Sequence, residues 1–206
     1  MIPRFLCLRL LGRRLLAACL FLISQRVEAD EYPPYATVGT QMLGMTVGPM
    51  IPIRLLTTQS SKLSGEVVIP SWSMTLTEPV GSGWYQGQLA LGAELPTFRT
   101  DQPVTAYGVG IAPKLVYTLV TYWRARPFVE GGGGPLWTNL GGRVPEEPGQ
   151  FNFLVWGGAG CSYSVKSQWS VNAGFRFVHI SNAGTRSPNS GLNFGLPFIG
   201  FSYALF

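Results

Sequence analysis

Apolar and polar side chains alternate along several segments of this chain, most clearly in its last third. Between Phe151 and Val165, one parity is rich in large apolar residues and the other is smaller and more polar. The same alternation continues in 168–182 and in 191–206. A period of two predicts β-strands with one apolar face. After residue 29 almost no segment carries a helical apolar period, and the recurrent glycines and prolines would break long helices.

The alternation and its interruptions predict eight strands. Their approximate bounds are 36–56, 62–77, 83–97, 104–120, 124–138, 151–165, 168–182 and 191–206. Short connections, near Glu78–Ser82, Thr121–Trp123 and Lys166–Ser167, alternate with mostly longer ones, near Thr57–Ser61, Phe98–Pro103, Asn139–Gln150 and Ala183–Ser190. Short turns at one end and longer loops at the other are typical of outer-membrane barrels. The sequence therefore predicts an all-β fold, an eight-stranded antiparallel transmembrane β-barrel of the outer membrane.

The composition favours a barrel whose outer wall meets lipid. Only 12% of the residues are charged, whereas 13% are aromatic and 26 residues are glycine. The alternative is a soluble β-sandwich, or a lipid-binding barrel like a lipocalin, with an apolar interior and a polar exterior. Parity alone leaves this alternative open, but the low charge and the small residues on one face favour lipid on the outside. On the small-residue face, Arg176 and Glu130 are predicted as interior hydrogen-bond partners, Glu130 with an arginine.

The first 29 residues have the features of a signal peptide. A basic start is followed by the apolar stretch Leu15–Ile23, and Val27–Ala29 resembles a cleavage site. The apolar stretch is too short to span a bilayer as a helix. We therefore expect a signal peptide at 1–29, removed on export, and one barrel domain at 30–206.

Removing the signal segment changes the charge of the chain. Residues 30–206 hold ten basic and nine acidic side chains, a net charge of +1. This balance gives no reason to expect a nucleic-acid partner. Cys161 is the one cysteine left in this part, so no internal disulfide is expected.

The chain has a single histidine, and it lies two residues before a serine in a predicted strand. Side chains at i and i+2 of a strand project from the same face, so His179 and Ser181 should lie side by side. An imidazole beside a hydroxyl is the minimal unit of nucleophilic acyl transfer, because it takes the hydroxyl proton during the attack. Both residues continue the apolar parity of their strand and precede a longer loop. We therefore expect them on the lipid-facing wall at the external rim, acting on an ester of a membrane lipid.

The segment His179-Ile180-Ser181-Asn182-Ala183-Gly184, followed by Pro188-Asn189-Ser190-Gly191, resembles the signature of the outer-membrane lipid A 3-O-deacylases (the PagL-like, acyloxyacyl hydrolase family). The likeness is strongest over residues 124–206. It implies an eight-stranded barrel that hydrolyses the ester-linked acyl chain at the 3-position of lipid A. Such an enzyme is a serine carboxylic-ester hydrolase, and the resemblance implies neither a cofactor nor a metal.

The same resemblance assigns roles to the residues of the motif. Ser181 is the implied nucleophile and His179 the general base, and the oxyanion-hole candidates are Asn182, Asn189 and the amide of Gly184. In the best-known form of the family a glutamate orients the histidine, but the matching position here is Asn193. An amide oxygen can accept from the imidazole N–H but cannot stabilise imidazolium by charge. A loop acid, Glu146 or Glu147, is the alternative source of an orienting carboxylate.

The implied partners are lipid A within lipopolysaccharide and the surrounding lipids of the cell outer membrane, which is also the implied location. Whether the barrel forms a homodimer is left open. Because Asn193 replaces the orienting acid, a second hypothesis is a non-catalytic eight-stranded barrel with a structural role in the outer membrane.

Overall fold

A computed structural model describes residues 33, 35–54 and 61–205 of the chain, so the expected signal peptide lies outside the described residues. In this described part of the chain, ten strand segments form a single antiparallel sheet. They are β1 (Gln41–Pro52), β2 (Ser64–Thr75), β3 (Gly87–Glu94), β4 (Thr97–Gln102), β5 (Ala106–Gly110), β6 (Ala112–Leu119), β7 (Ala125–Thr138), β8 (Phe151–Ser164), β9 (Trp169–Ser181) and β10 (Leu192–Leu205). In the described ranges, no helix is long and apolar enough to cross a membrane.

The ten segments make eight barrel strands, because two of the strands are interrupted. β3 and β4 pair with β2 in one continuous register across Leu95 and Pro96, and β5 and β6 do the same with β7 across Ile111. Proline has no N–H and cannot donate a ladder hydrogen bond, which accounts for the first gap. The last strand, β10, pairs with β1 and closes the sheet. The predicted eight-stranded antiparallel barrel is confirmed.

Two predicted connections are wrong. Residues 98–103 are mostly strand, since β4 pairs with β2 on one edge and with β5 on the other. The polar run before Pro103 has a loop-like composition, but its backbone hydrogen bonds are satisfied by both neighbours. Conversely, the connection near Glu78–Ser82 extends over 76–86, because a short 3₁₀-helix, Gly83–Tyr85, replaces the expected start of the third strand. The end of the first predicted strand, 55–56, lies outside the described residues.

The outward face of the barrel is apolar, as predicted. Five large side chains of β9 and β10 are between 40 and 57% exposed: Trp169, Val171, Phe175, Ile199 and Phe201. A soluble barrel would place polar residues there and keep its apolar face inside. The outward apolar band is typical of barrels that span a membrane.

The interior changes in character along the barrel axis. The long-loop end, defined by the connections 53–63, 139–150 and 182–191, is filled by an apolar cluster that includes Leu63, Leu136, Ile180 and Phe194. The short-turn end, where 120–124 and 165–168 join the strands, holds a cavity of about 180 Å³ whose lining includes many hydroxyl and amide side chains. Gln88 lines this cavity and binds the backbone of Ala36. Its Oε1 accepts from the amide at 2.9 Å, and its Nε2 donates to the carbonyl at 2.7 Å.

An ion network separates the two ends. Arg176 donates to both oxygens of Glu94, at 2.8 and 2.9 Å, and to Glu130 at 2.8 Å. Lys114 binds the same Glu94 at 3.0 Å. All four side chains are no more than 9% exposed. The predicted interior roles of Arg176 and Glu130 are therefore confirmed.

Candidate active site

β9 carries the candidate histidine and serine on the outer wall of the barrel. His179 and Ser181 share the outward parity of Phe175, and they occupy the end of β9 that leads into the 182–191 loop. In the register of the sheet, His179 lies between Val155 of β8 and Asn193 of β10. Val155 is 57% exposed, so this row of side chains faces outward. The structure thus brings His179, Ser181 and Asn193 to one face, at the long-loop end.

The imidazole of His179 is held by an amide. Its Nδ1 donates to Asn193 Oδ1 at 2.6 Å, and Asn193 is only 1% exposed. Because an amide oxygen only accepts, this contact is a hydrogen bond in the tautomer that carries the imidazole proton on Nδ1. The lone pair of Nε2 is then available to take a proton from a neighbouring hydroxyl.

Ser181 follows His179 by two residues on the same face of β9. It is half-buried, and in register it sits beside Phe153 of β8. Within the described residues, no hydrogen bond joins its Oγ to His179. In free enzymes such bonds are often long, and they shorten in the transition state. The two groups are therefore neighbours on one face without a completed hydrogen bond.

The 182–191 loop is organised by the buried side chain of Asn182. Its Oδ1 accepts from the amides of Gly184 at 3.0 Å and Arg186 at 3.4 Å, and its Nδ2 donates to the carbonyl of Pro188 at 3.1 Å. Its own amide donates to Asn189 Oδ1 at 3.1 Å. The backbone donors of Asn182 and Gly184 are thus engaged inside the loop. Of the three oxyanion candidates, Asn189 keeps a side-chain NH₂ without a partner in the described chain.

Two residues to which the sequence analysis assigned no role shape this site. Gly191 has a φ of +68°, and a Cβ built on it would lie 2.6 Å from His179 Cε1 and 3.2 Å from Nε2. A side chain there would collide with the reactive edge of the imidazole. On the other side, the amide of Ile53 donates to the carbonyl of Asn193 at 2.9 Å. Gly191 belongs to the Pro-Asn-x-Gly motif, but Ile53 lies too far away in sequence to be found without coordinates.

Comparison with known protein families gives a match over most of the chain. The family model described as "Lipid A 3-O-deacylase (PagL)" matches residues 64–203. The chain belongs to this family. The lipid A 3-O-deacylase match spans His179, Ser181, Asn182, Gly184, Asn189 and Asn193, and it confirms the family predicted from the motif.

Solved structures support the same fold. The crystal structure of the outer membrane enzyme PagL is 23% identical, covers 77% of this chain and 97% of its own, and superposes with a TM-score of 0.53. Neisserial surface protein A (NspA) is 15% identical, with coverages of 80% and 96% and a TM-score of 0.54. At these identities the likeness shows the barrel fold alone. The comparison with curated proteins gave no match.

In this member of the lipid A 3-O-deacylase family, the two loop glutamates lie in the 139–150 loop. Glu146 accepts from the amide and the hydroxyl of Ser61, at 2.8 and 2.6 Å, and so ties two loops together. Glu147 is fully buried, and its Oε1 has no hydrogen-bond partner in the described chain. Burial, with the nearby charge of Glu146, raises the pKa of Glu147 to about 7. The residue that contacts the Nδ1 atom of His179 is Asn193.

Proposed function

We propose that this chain is an outer-membrane esterase that hydrolyses the ester-linked acyl chain at the 3-O position of lipid A. The observation that carries the proposal is the 2.6 Å contact between His179 Nδ1 and Asn193 Oδ1, next to Ser181 on the outer wall. Membership in the lipid A 3-O-deacylase family supports the choice of substrate. The outward apolar side chains support contact with membrane lipids, and the segment 1–29 is proposed as the export signal.

The proposed reaction has two halves. Ser181 Oγ attacks the ester carbonyl carbon, and His179 Nε2 takes the hydroxyl proton. The carbonyl oxygen becomes an oxyanion, for which the side-chain NH₂ of Asn189 is the proposed donor. The intermediate expels the 3-hydroxyl of the sugar, which takes the proton from the imidazolium, and the acyl chain remains on Ser181. Water activated by His179 then attacks the acyl-enzyme and releases the fatty acid.

Asn193 is proposed as a positioning residue. Its Oδ1 fixes the Nδ1–H tautomer and the plane of the imidazole, so that the lone pair of Nε2 stays free to take a proton. It contributes no negative charge, and the imidazolium formed during the attack is therefore less stabilised than beside a carboxylate. Asn182 and Gly184 are proposed to act by shaping the loop that presents Asn189.

Mass spectrometry of lipid A from cells with and without the protein tests the function. We expect the wild type to remove the mass of one ester-linked acyl chain. Ser181→Ala should leave lipid A intact, whereas Ser162→Ala, a matched change on the inward face of β8, should act as the wild type. An unchanged lipid A in wild-type cells, or acyl loss that persists in Ser181→Ala, would reject the proposal.

The second candidate function is a non-catalytic structural barrel. It is favoured by the amide at position 193 and by the missing hydrogen bond between Ser181 and His179. Under this alternative, the protein would assemble with the heat-modifiable gel mobility of a folded barrel and yet leave lipid A unchanged. The same lipid A spectra, recorded beside such a gel, separate the two candidates.

A further inference from the structure

The exposed charges on the connections at the long-loop end are all positive. The connections 53–63, 103–105, 139–150 and 182–191 contain six charged residues, and the undescribed part, 55–60, contains none. Four are basic and exposed: Arg54, Lys62, Arg143 and Arg186. The two acidic residues, Glu146 and Glu147, are at most 2% exposed and face the loop interior. The rim around the candidate site therefore presents cations with no surface carboxylate of these loops to balance them.

Arg186 is built into the loop that follows Ser181. Its backbone amide donates to Asn182 Oδ1 at 3.4 Å. Asn182 also binds Asn189, through its own backbone amide, so one residue holds both Arg186 and Asn189 in place. Its side chain crosses Gly149, where a Cβ would lie 3.2 Å from Cδ and 3.4 Å from Nε. The missing side chain at Gly149 leaves room for this path. The guanidinium forms no ion pair with the described residues.

Arg54 lies on the opposite flank of the site. It follows Ile53, whose amide binds the carbonyl of Asn193 at 2.9 Å. One arginine thus stands at the end of β1 and another beyond the end of β9, with β10 and the His179–Asn193 contact between these two strands. The arginine on β4 differs, because Arg99 is paired with Asp101 at 3.2 Å and faces the ring of Tyr107.

We propose that Arg186, assisted by Arg54, binds a phosphate on the headgroup of the lipid substrate and selects the phosphorylated form. This rests on the proposed function, because lipid A is a phosphorylated glucosamine disaccharide whose esters lie beside its phosphates. A guanidinium offers a planar fork of donors that matches a phosphate group with two parallel hydrogen bonds. Phosphate binding at the rim would place the sugar over the loop and its ester at Ser181.

Steady-state kinetics with the mature protein in neutral detergent micelles tests this proposal. The substrates are lipid A with its phosphates and the same lipid after enzymatic dephosphorylation. For the wild type we expect a KM about three- to tenfold lower for the phosphorylated lipid, the range of exposed to well-aligned charge pairs. Arg186→Gln should bring the KM ratio close to one, and Arg54→Gln should lower it less. Arg186→Lys should keep most of the preference, and the control Arg99→Gln should keep all of it.

Several outcomes would overturn the proposal. These are an unchanged KM ratio in Arg186→Gln, an equal loss in Arg99→Gln, or competition by inorganic phosphate that is as strong as that by the lipid. A wild type that cleaves neither lipid would reject the proposed function instead. In that case, equilibrium binding of fluorescent lipid A to Ser181→Ala still tests the phosphate preference, and adding Arg186→Gln should remove it.

Discussion

The two faces of β9 carry two polar clusters of opposite kind. On the inside, Arg176 is 3% exposed and is bound by two carboxylates. On the outside, three residues further along the strand, His179 is half-buried and bound by a neutral amide. In the inner cluster each charge faces one of opposite sign, whereas in the outer one the partner of the imidazole is an uncharged amide.

The contrast shows how one strand can serve stability on one face and chemistry on the other. A buried guanidinium between carboxylates has its donors engaged and does not release a proton. The His179–Asn193 pair leaves one ring nitrogen with a free lone pair beside a hydroxyl. Substitutions in the inner cluster should therefore mainly lower stability, and substitutions in the outer cluster should mainly lower activity.

The largest effect should come from His179→Ala. By analogy with loss of the base in serine hydrolases, we expect kcat/KM to fall by about 10⁴-fold or more. The unfolding transition should stay close to that of the wild type, because the imidazole lies on the outer wall and makes one side-chain hydrogen bond. Hydrolysis of lipid A in micelles measures the first quantity and urea unfolding the second. Activity retained within tenfold would remove His179 from the site.

The inner cluster should respond in the opposite way. Glu94→Gln leaves Arg176 and Lys114 with one carboxylate between them, so we expect the free energy of unfolding to fall by about 3 kcal/mol or more. The exposed Glu66 on β2 provides the matched control, and Glu66→Gln should change the free energy of unfolding by about 0.5 kcal/mol at most. Urea unfolding in micelles compares the two. Equal stability of both variants would contradict a structural role for the network.

Replacements at Asn193 test how far the outer pair depends on a neutral partner. Asn193→Leu removes the acceptor at similar volume, and we expect a loss of about 10²- to 10⁴-fold in kcat, as for misoriented bases. Asn193→Asp should preserve activity and move the acid limb of the pH–rate profile to higher pH, because a carboxylate favours imidazolium. Identical pH profiles for the wild type and Asn193→Asp would show that residue 193 does not act through His179.

The smallest effect concerns the 139–150 loop, which lies beside the 182–191 loop at the contact between Gly149 and Arg186. The pKa of Glu147 is raised from 4.5 to about 7 by burial and by Glu146, so the folded loop favours the protonated carboxyl. Its contribution to stability is present below about pH 4.5 and is lost as the pH rises towards 7. Hydrogen exchange of the loop amides should therefore quicken over this range. In Glu147→Gln the exchange rate, corrected for its intrinsic pH dependence, should not change with pH over this range. A pH dependence that persists in this variant would show that another group is responsible.

The strands around the site were the easiest part to predict. The last four predicted strands agree with β7–β10 to within one residue at each end. In three of them, β8 to β10, the alternation of apolar and polar residues is clear in the sequence. β4 was missed because its polar end and the following proline have the composition of a loop. Residues 97–102 form a strand because they pair with β2 and β5, and a local sequence pattern does not contain that information.

The site was predictable only where the strand period fixes it. The common face of His179 and Ser181 follows from their spacing, and the partner at Asn193 follows from the family motif. Other features depend on loop conformation and on the closure of β10 against β1. These are the hydrogen bonds of the Asn182 side chain, the space beside Gly191 and the contact from Ile53. The sequence therefore named candidate donors but did not indicate which of them the loop had already engaged.

The apolar cluster at the long-loop end has one more consequence. Leu63, Leu136, Ile180 and Phe194 are at most 1% exposed and fill the interior at the level of the rim. Among the described residues, apolar side chains therefore occupy the route along the axis between the cavity and the long loops, which disfavours the passage of ions and hydrated solutes. A protein built in this way can place reactive groups on its outside wall without making the membrane around it leaky.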